Sequence, residues 1–114
     1  MTDSMKITLA QLNPVVGDID GNIAKIRAAR LAGARAGADL VIGTELCVTG
    51  YPPEDLILKN AFVRAAMDAV EALAAETADG GPGLIVGTPW FDDDGNRYNA
   101  AVVLDEGKVQ TVRY

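Results

Sequence analysis

The sequence contains no histidine, only one cysteine, and fewer basic than acidic residues. Without histidine, the chain lacks the commonest general base and the commonest zinc ligand of proteins. The single cysteine, Cys47, allows no disulfide within the chain, which favours a reducing compartment such as the cytoplasm. Because 10 lysines and arginines face 16 aspartates and glutamates, the net charge is −6, which argues against nucleic acid or an anionic membrane as a partner.

Long apolar runs are missing as well. No stretch approaches the roughly 18 consecutive apolar residues of a membrane-spanning helix. The opening residues Met1-Thr2-Asp3-Ser4 are polar or acidic and precede no apolar run, so no secretory signal is predicted. The sequence therefore predicts a cytoplasmic protein with neither nucleic acid nor membrane as a partner.

The residues that are present suffice for one folded domain. The chain has 114 residues, of which 49% are hydrophobic and 23% charged, a balance that excludes a disordered segment. A single domain commonly has about 100–200 residues, so the sequence has room for one domain and no more.

The hydrophobic pattern predicts an α/β fold. A helix rich in alanine and arginine is expected over residues 21–38, capped by Asp18 or Asp20, and a second helix is expected to begin near Pro53 or Asn60. Between and after the helices, short apolar or alternating runs predict strands at residues 6–12, 40–42, 84–87, 98–104 and 109–114. Strands that alternate with helices indicate a sheet with helices packed against it.

Helical spacing also predicts which side chains of the two helices face the core. The second helix carries an apolar stripe with steps of four, four and three residues, formed by Phe62, Ala66, Val70 and Leu73. In the first helix, the charged side chains are interpreted as solvated: Arg27, Arg30 and Arg35.

Two motifs that could bind ligands do not meet the requirements of such sites. Gly81-Pro82-Gly83 lacks a third glycine and precedes a strand, whereas a dinucleotide-binding loop opens a helix. The residues Asp92, Asp94 and Asn96 have the spacing of the first ligands of a calcium loop, but the required glycine and the closing glutamate are absent. We interpret this segment as an acidic hairpin turn and predict no metal site.

Glu45 is the strongest candidate for a catalytic residue. It comes directly after the predicted buried strand at residues 40–42, and functional groups collect at strand ends in α/β sheets. A carboxylate there is expected to be partly desolvated and suited to act as a base, although an ion-paired or capping glutamate is the alternative. Cys47 lies two residues away, but a neighbouring anion disfavours a thiolate, so we predict a packing role for this cysteine.

A rigid bend follows Glu45. Gly50 permits a positive φ, Pro52 restricts Tyr51 to an extended conformation, and Pro53 suits the first turn of a helix. The bend is therefore expected to project Tyr51 from a fixed position.

Taken together, the motifs resemble a known enzyme family. The opening Asn13-Pro14 with Gly17-Asp18, and the later segments at residues 44–56, 85–89 and 98–101, are similar to the nitrilase-like glutaminase domain of bacterial glutamine-dependent NAD synthetases. The combination of the opening motif with Gly50-Tyr51-Pro52-Pro53-Glu54-Asp55 is more specific than either motif alone. The resemblance extends over essentially the whole chain.

The resemblance implies a fold and a reaction. The fold would be the nitrilase-like α-β-β-α sandwich, with residues 1–114 as its N-terminal portion. Family members hydrolyse a carbon–nitrogen bond with a glutamate, a lysine and a cysteine; by matching position, Glu45 is the general base and Tyr51 lies near the glutamine pocket. The resemblance places the lysine and the nucleophilic cysteine beyond Tyr114, so the chain alone is expected to be inactive.

The resemblance also implies the partners of a complete enzyme. Ammonia released from glutamine would amidate deamido-NAD in a separate synthetase domain that uses ATP and Mg²⁺. No cofactor is expected within the present segment, and the family suggests a homo-oligomer. Two alternatives remain: another amidase of the nitrilase superfamily, or a non-catalytic α/β interaction module. The only support for the interaction module is Gly43 and Thr44, because the family usually has an aromatic residue or proline just before the glutamate.

Overall fold

A computed structural model describes residues 4–114. The expected absence of a secretory signal was based on residues 1–4, of which residues 1–3 lie outside the described part of the chain. The elements are β1 (Ile7–Leu9), α1 (Ile19–Arg35), β2 (Leu40–Ile42), a 3-10 turn (Glu54–Leu58), α2 (Asn60–Glu76), a second 3-10 turn (Thr77–Asp79), β3 (Gly83–Phe91), β4 (Arg97–Asp105) and β5 (Lys108–Arg113).

The five strands form one sheet in chain order, as the predicted α/β class requires. β1, β2 and β3 are parallel, and each crossover between them contains a helix. β3, β4 and β5 continue the sheet as an antiparallel meander, with Pro89 opposite Asn99 and Ala101 opposite Arg113. The strand predicted at residues 40–42 is confirmed in its bounds, and it pairs in parallel with β1 and β3.

The core lies between the helices and one face of the sheet. Every second strand residue points into it, and Val41, Leu84, Val86, Val102 and Leu104 are all buried. Their neighbours on the opposite face are more accessible: Ile42, Ile85 and Val103 are half-buried, and the side chain of Leu9 is 78% exposed. Within residues 4–114, the second face of the sheet thus has no layer packed over it.

Both helices begin close to where the sequence predicts, and α1 ends at Arg35, three residues before the expected end. Asp18 caps α1, because its carboxylate accepts a hydrogen bond from the Gly21 amide at 3.0 Å. In α2 the predicted stripe is confirmed at three positions, Ala66, Val70 and Leu73, whereas Phe62 is only half-buried and Val63 occupies the core instead. Among the described residues, no helix combines the length and apolarity needed to cross a bilayer.

The prediction of a solvated Arg30 is wrong. Its side chain is buried, donates from Nε to the Pro82 carbonyl oxygen at 2.9 Å, and forms a forked pair with the Asp79 carboxylate at 2.7 and 3.0 Å. Arg27 forms a second pair, with Glu76, but that pair is largely exposed to solvent. Arg35 is exposed, as predicted. The arginine side chain reaches from α1 to the chain that follows α2, a long-range contact that helical spacing does not reveal.

Candidate active site

Glu45 lies just beyond the carboxyl end of β2, in a turn that rests on Gly87 in the middle of β3. The chain leaves β2 at Ile42 and forms a turn that contains Glu45. Its side chain is exposed in the described chain, so the partial desolvation that we expected is not present there. The Glu45 carboxylate instead accepts a hydrogen bond at Oε1 from Asn99 Nδ2 of β4, at 2.5 Å.

An open cleft of about 370 Å³ extends from Glu45 across the face of the sheet that the helices do not cover. Strand residues such as Ile85 and Ala101 form its floor. The polar or charged residues that line it are Thr44, Glu45, Asn99, Arg113 and Tyr114. The cleft therefore joins an apolar surface to a carboxylate, an amide and a guanidinium group, an arrangement typical of a site for a small polar molecule.

The turn that carries Glu45 rests directly on β3 because position 87 is glycine. A β-carbon at Gly87 would overlap the backbone nitrogen of Leu46 and lie 2.5 Å from the carbonyl oxygen of Thr44. The close approach allows the Val48 amide to donate to the Gly87 carbonyl at 3.1 Å. The backbone of Glu45 is thus held against a central strand.

Leu46, the residue that follows Glu45, has an unusual backbone conformation. Its φ is +49°, in the left-handed region that side chains with a β-carbon rarely adopt, and its side chain is buried. Such a conformation costs about 1–3 kcal/mol and persists only where the surrounding structure enforces it, which occurs frequently at functional sites. The local geometry therefore supports a functional assignment for this turn.

Tyr51 projects from a segment that a second loop holds in place. Asn22, buried in α1, accepts from the Val15 amide at 2.7 Å and donates to the carbonyls of Val15 and Val48 at 2.8 and 3.0 Å. Gly50 has a φ of +83° and packs so tightly on Val16 that a β-carbon would come within 2.6 Å of Cα. The Tyr51 side chain itself is 63% exposed, and it is not among the residues that line the cleft of Glu45.

Cys47 is fully buried, which agrees with a packing role. Burial raises the pKa of its thiol, so the thiolate form is disfavoured, although hydrogen bonds from nearby backbone groups oppose this effect. Its sulfur fills the space beside Gly43, where a β-carbon would lie 3.0 Å from Sγ. Gly43 stands where the family usually has a larger residue, and the Cys47 side chain fills the space beside it.

The acidic segment after β3 is the hairpin turn that the sequence predicts. Asp92 accepts hydrogen bonds from the amides of Asp94 and Asn96 at 2.9 and 2.8 Å. Hydrogen bonds, foremost the one from the Asn96 backbone, lower the pKa of the Asp92 carboxyl. Across residues 4–114, no three histidine, cysteine, aspartate or glutamate side chains form a group suited to a metal ion.

Sequence reasoning did not assign a role to Asn99, Arg113 or Tyr114. Tyr98-Asn99 belongs to one of the segments that carry the family resemblance, so the motif was visible, but its contact with Glu45 was not. The contact spans 54 positions in the chain and depends on the register of the β3–β4 hairpin. The polar Asn99 directly before the apolar run at residues 100–104 is the signal that could have indicated it.

Comparison with known proteins assigns the chain to a family. Residues 6–114 match the carbon-nitrogen hydrolase family model. The chain is 53% identical over 109 residues to the glutamine-dependent NAD(+) synthetase of Rhodobacter capsulatus; this alignment covers 96% of the chain and 19% of that relative. The chain thus spans about a fifth of the length of such relatives.

Solved structures show the same fold. The glutamine-dependent NAD(+) synthetase of Cytophaga hutchinsonii superposes with a TM-score of 0.87 at 26% identity, over 96% of this chain and 18% of that one. An amidase from Nesterenkonia superposes with a TM-score of 0.78 at 26% identity, over 95% of this chain and 41% of that one. The architecture is therefore nitrilase-like, with one helical layer and one sheet of that fold described here. From the family match over residues 6–114, the chain belongs to the carbon-nitrogen hydrolase family.

Proposed function

We propose that this chain is the N-terminal part of a glutaminase domain that supplies ammonia for NAD synthesis. The observation that carries the proposal is the 53% identity to the Rhodobacter capsulatus glutamine-dependent NAD(+) synthetase across almost the whole chain. In the complete enzyme, glutamine would be hydrolysed to glutamate and ammonia, and the ammonia would amidate deamido-NAD at a separate domain that binds ATP and Mg²⁺. The same enzyme would be cytoplasmic and homo-oligomeric.

Glu45 is the general base in this proposal. Its carboxylate stands at the rim of the cleft, and within residues 4–114 only Oε1 accepts a hydrogen bond, which leaves Oε2 available for a proton. A cysteine thiol elsewhere in the complete domain would lose its proton to Glu45 and attack the side-chain amide of glutamine. Glu45 would then return the proton to the departing ammonia, and a lysine would stabilise the oxyanion. Water activated by Glu45 would hydrolyse the resulting thioester, which releases glutamate and restores the thiol.

Tyr51 is proposed to contact the substrate. Its exposed ring projects from a turn whose backbone is held by Asn22 and Gly50, so the ring is accessible to a bound glutamine. The ring combines an apolar face with a hydroxyl, which suits an aliphatic substrate with polar ends.

A second candidate is an amidase that acts without a synthetase. The observation in its favour is the TM-score of 0.78 to the Nesterenkonia amidase. In a mutant of that amidase, acrylamide adds to the active site cysteine. The amidase alternative predicts hydrolysis of simple amides and no formation of NAD.

The proposed base can be tested by replacing Glu45 with glutamine in the full-length protein that contains this chain. Loss of the base should lower glutamine-driven NAD formation by about 10²- to 10⁴-fold, the usual contribution of general acid–base catalysis. Synthesis driven by added ammonium should be unchanged, because that reaction does not require glutamine hydrolysis. Both rates are measured by NAD formation, and glutamate release is measured in parallel.

Glu71→Gln provides a matched control, because Glu71 is an exposed glutamate of α2 away from the cleft. This variant should retain both activities. Unchanged glutamate release from the Glu45→Gln protein would show that Glu45 is not the base. Hydrolysis of simple amides without any NAD formation by the unmodified protein would favour the amidase instead.

A further inference from the structure

Asn99 lies on the face of β4 that looks away from the helices. Its neighbour Ala100 is buried and points into the core, so the alternation of the strand directs Asn99 to the cleft side. The residue is exposed, so its amide is not required to satisfy a buried group. An exposed asparagine at this place in the strand therefore calls for a role other than packing.

The contact between Asn99 and Glu45 has a defined chemical polarity. A carboxylate can only accept hydrogen bonds, so the amide nitrogen of Asn99 is the atom that faces it. The bond joins Nδ2 to Oε1, and its charged acceptor makes it stronger than a hydrogen bond between two neutral groups. The amide is neutral, so it can orient the carboxylate without neutralising it as a lysine or arginine would.

Both ends of this hydrogen bond are anchored to the same sheet. The backbone of Glu45 is held against β3 by the close approach at Gly87. Asn99 is paired with Pro89 of the same strand, and the adjacent Tyr98 ring lies 4.4 Å from the ring of Tyr114, centroid to centroid. A flexible glutamate side chain is thus fixed by a donor whose own backbone has little freedom.

We propose that Asn99 is a positioning residue for Glu45: its Nδ2 holds Oε1 and thereby directs Oε2 into the cleft, where the proton is transferred. This inference rests on the proposed function, because it concerns the same base. Asn99 does not itself take part in the proton transfer. Its contribution is orientation, and catalytic groups that are displaced by about 1 Å can lose about 100-fold in rate.

The test replaces Asn99 with alanine in the full-length protein and measures glutaminase kinetics. The kcat for glutamine should fall by about 100-fold, since the proton acceptor loses its orientation, whereas KM should stay within about threefold because substrate binding is untouched. NAD synthesis driven by ammonium should be unchanged. Asn99→Asp has the same shape but places a second carboxylate against Glu45, so kcat should fall at least as far.

Gln110→Ala is the matched control, because Gln110 carries an exposed amide on the neighbouring strand β5 and does not line the cleft. A kcat within threefold of the parent for Asn99→Ala would overturn the inference, as would a raised KM with unchanged kcat, which would make Asn99 a substrate contact. If Asn99→Ala also lost the ammonium-driven activity, Asn99→Asp would be measured instead. Its kcat for glutamine and its ammonium-driven rate of NAD synthesis would then decide whether Asn99 positions Glu45. Glu45→Gln separates this result from the proposed function: an inactive Glu45→Gln beside an active Asn99→Ala rejects only the positioning role.

Discussion

Cys47 and Gly43 form a small complementary pair behind the Glu45 turn. The thiol occupies the volume that a side chain at position 43 would need, and a β-carbon there would lie 3.0 Å from Sγ. Because the thiol is buried and its pKa is raised by burial, it is held as the neutral form at neutral pH. The pair is thus part of the support for the turn rather than of the reacting groups.

Replacing Cys47 with alanine should have a small structural effect and little catalytic effect. Removing one buried atom costs the lost contacts plus a small cavity, about 1 kcal/mol in the free energy of unfolding. In the full-length protein, glutaminase activity should remain close to that of the parent. Urea unfolding gives the first quantity and glutamate release the second.

Alkylation provides an independent check, because Cys47 is the only cysteine of the 114 residues. The native chain should resist a thiol-alkylating reagent, whereas the urea-unfolded chain should react fully. Stoichiometric labelling of Cys47 by a glutamine analogue in the full-length protein would contradict the packing role and indicate a nucleophile.

Single-residue predictions from sequence succeeded where the cause is local. The position of Glu45 after β2 and the capping role of Asp18 depend on neighbours a few residues away. Arg30 was interpreted wrongly and Asn99 was given no role, because their partners, Asp79 and Glu45, are brought close only by tertiary structure. The exposure of Glu45 was likewise not predictable from its place at a strand end, because solvation depends on what packs around that end.

At the scale of elements, two ion pairs of different exposure connect α1 to the end of α2 and the chain beyond it. Arg27 and Glu76 pair at the surface, with side chains 44% and 40% exposed, whereas the Arg30 side chain is 5% exposed in its pair with Asp79. Exposed pairs contribute little to stability, but a buried guanidinium that loses its partner is strongly unfavourable. The two pairs therefore offer a direct comparison.

Asp79→Asn should destabilise the chain more than Glu76→Gln. The change at Glu76 should alter the free energy of unfolding by less than about 1 kcal/mol, because solvent already screens that pair. The change at Asp79 leaves the Arg30 guanidinium buried without its counter-ion. Urea unfolding followed by circular dichroism, at one fixed protein concentration, compares the two variants; equal midpoints would contradict the expectation.

The difference caused by Asp79→Asn should also depend on pH. The hydrogen bond from Arg30, followed by the one from the Gly81 amide, holds the pKa of the Asp79 carboxyl well below its usual range. A lowered pKa in the folded state means that the stabilisation is complete above the ordinary carboxyl pKa and is lost as pH falls through the lowered value. The parent and the variant should therefore differ most near neutral pH and converge in strong acid.

Element prediction was most successful for β2 and least complete for β3. Leu40–Ile42 is a short apolar run whose bounds are set by its own composition. β3 was predicted to end at residue 87 but continues to Phe91, because β4 supplies hydrogen-bond partners as far as Arg97. The extension depends on a partner strand and is not visible in the hydrophobicity of β3 alone.

On the scale of the whole molecule, residues 4–114 cover the sheet on one side only. The open face carries apolar side chains, among them Ile7 at 49% and Leu9 at 78% exposure, and β1 and β5 are the edge strands of the described sheet. Exposed apolar faces and unpaired strand edges favour association with another chain. The cleft of Glu45 opens on this same face.

The isolated 114-residue chain should therefore be inactive towards glutamine and self-associated. It lacks a cysteine positioned as a nucleophile, and without a nucleophile the covalent route is closed. Glutamate release should be undetectable, and light scattering should give a mass above the 11.9 kDa of a monomer. A stable monomer that hydrolyses glutamine would contradict both expectations and would mean that Cys47, the only thiol, had been assigned wrongly.

The missing side chain at Gly87 has a consequence for genetic variation. Even alanine would push a β-carbon into the backbone on either side of Glu45, and the strand beneath cannot retreat without breaking its pairing with β4. Any missense change at codon 87 should therefore impair the enzyme although glycine contributes no functional group. In a population of gene variants, position 87 should tolerate substitution as poorly as position 45, where Glu45 is the proposed base.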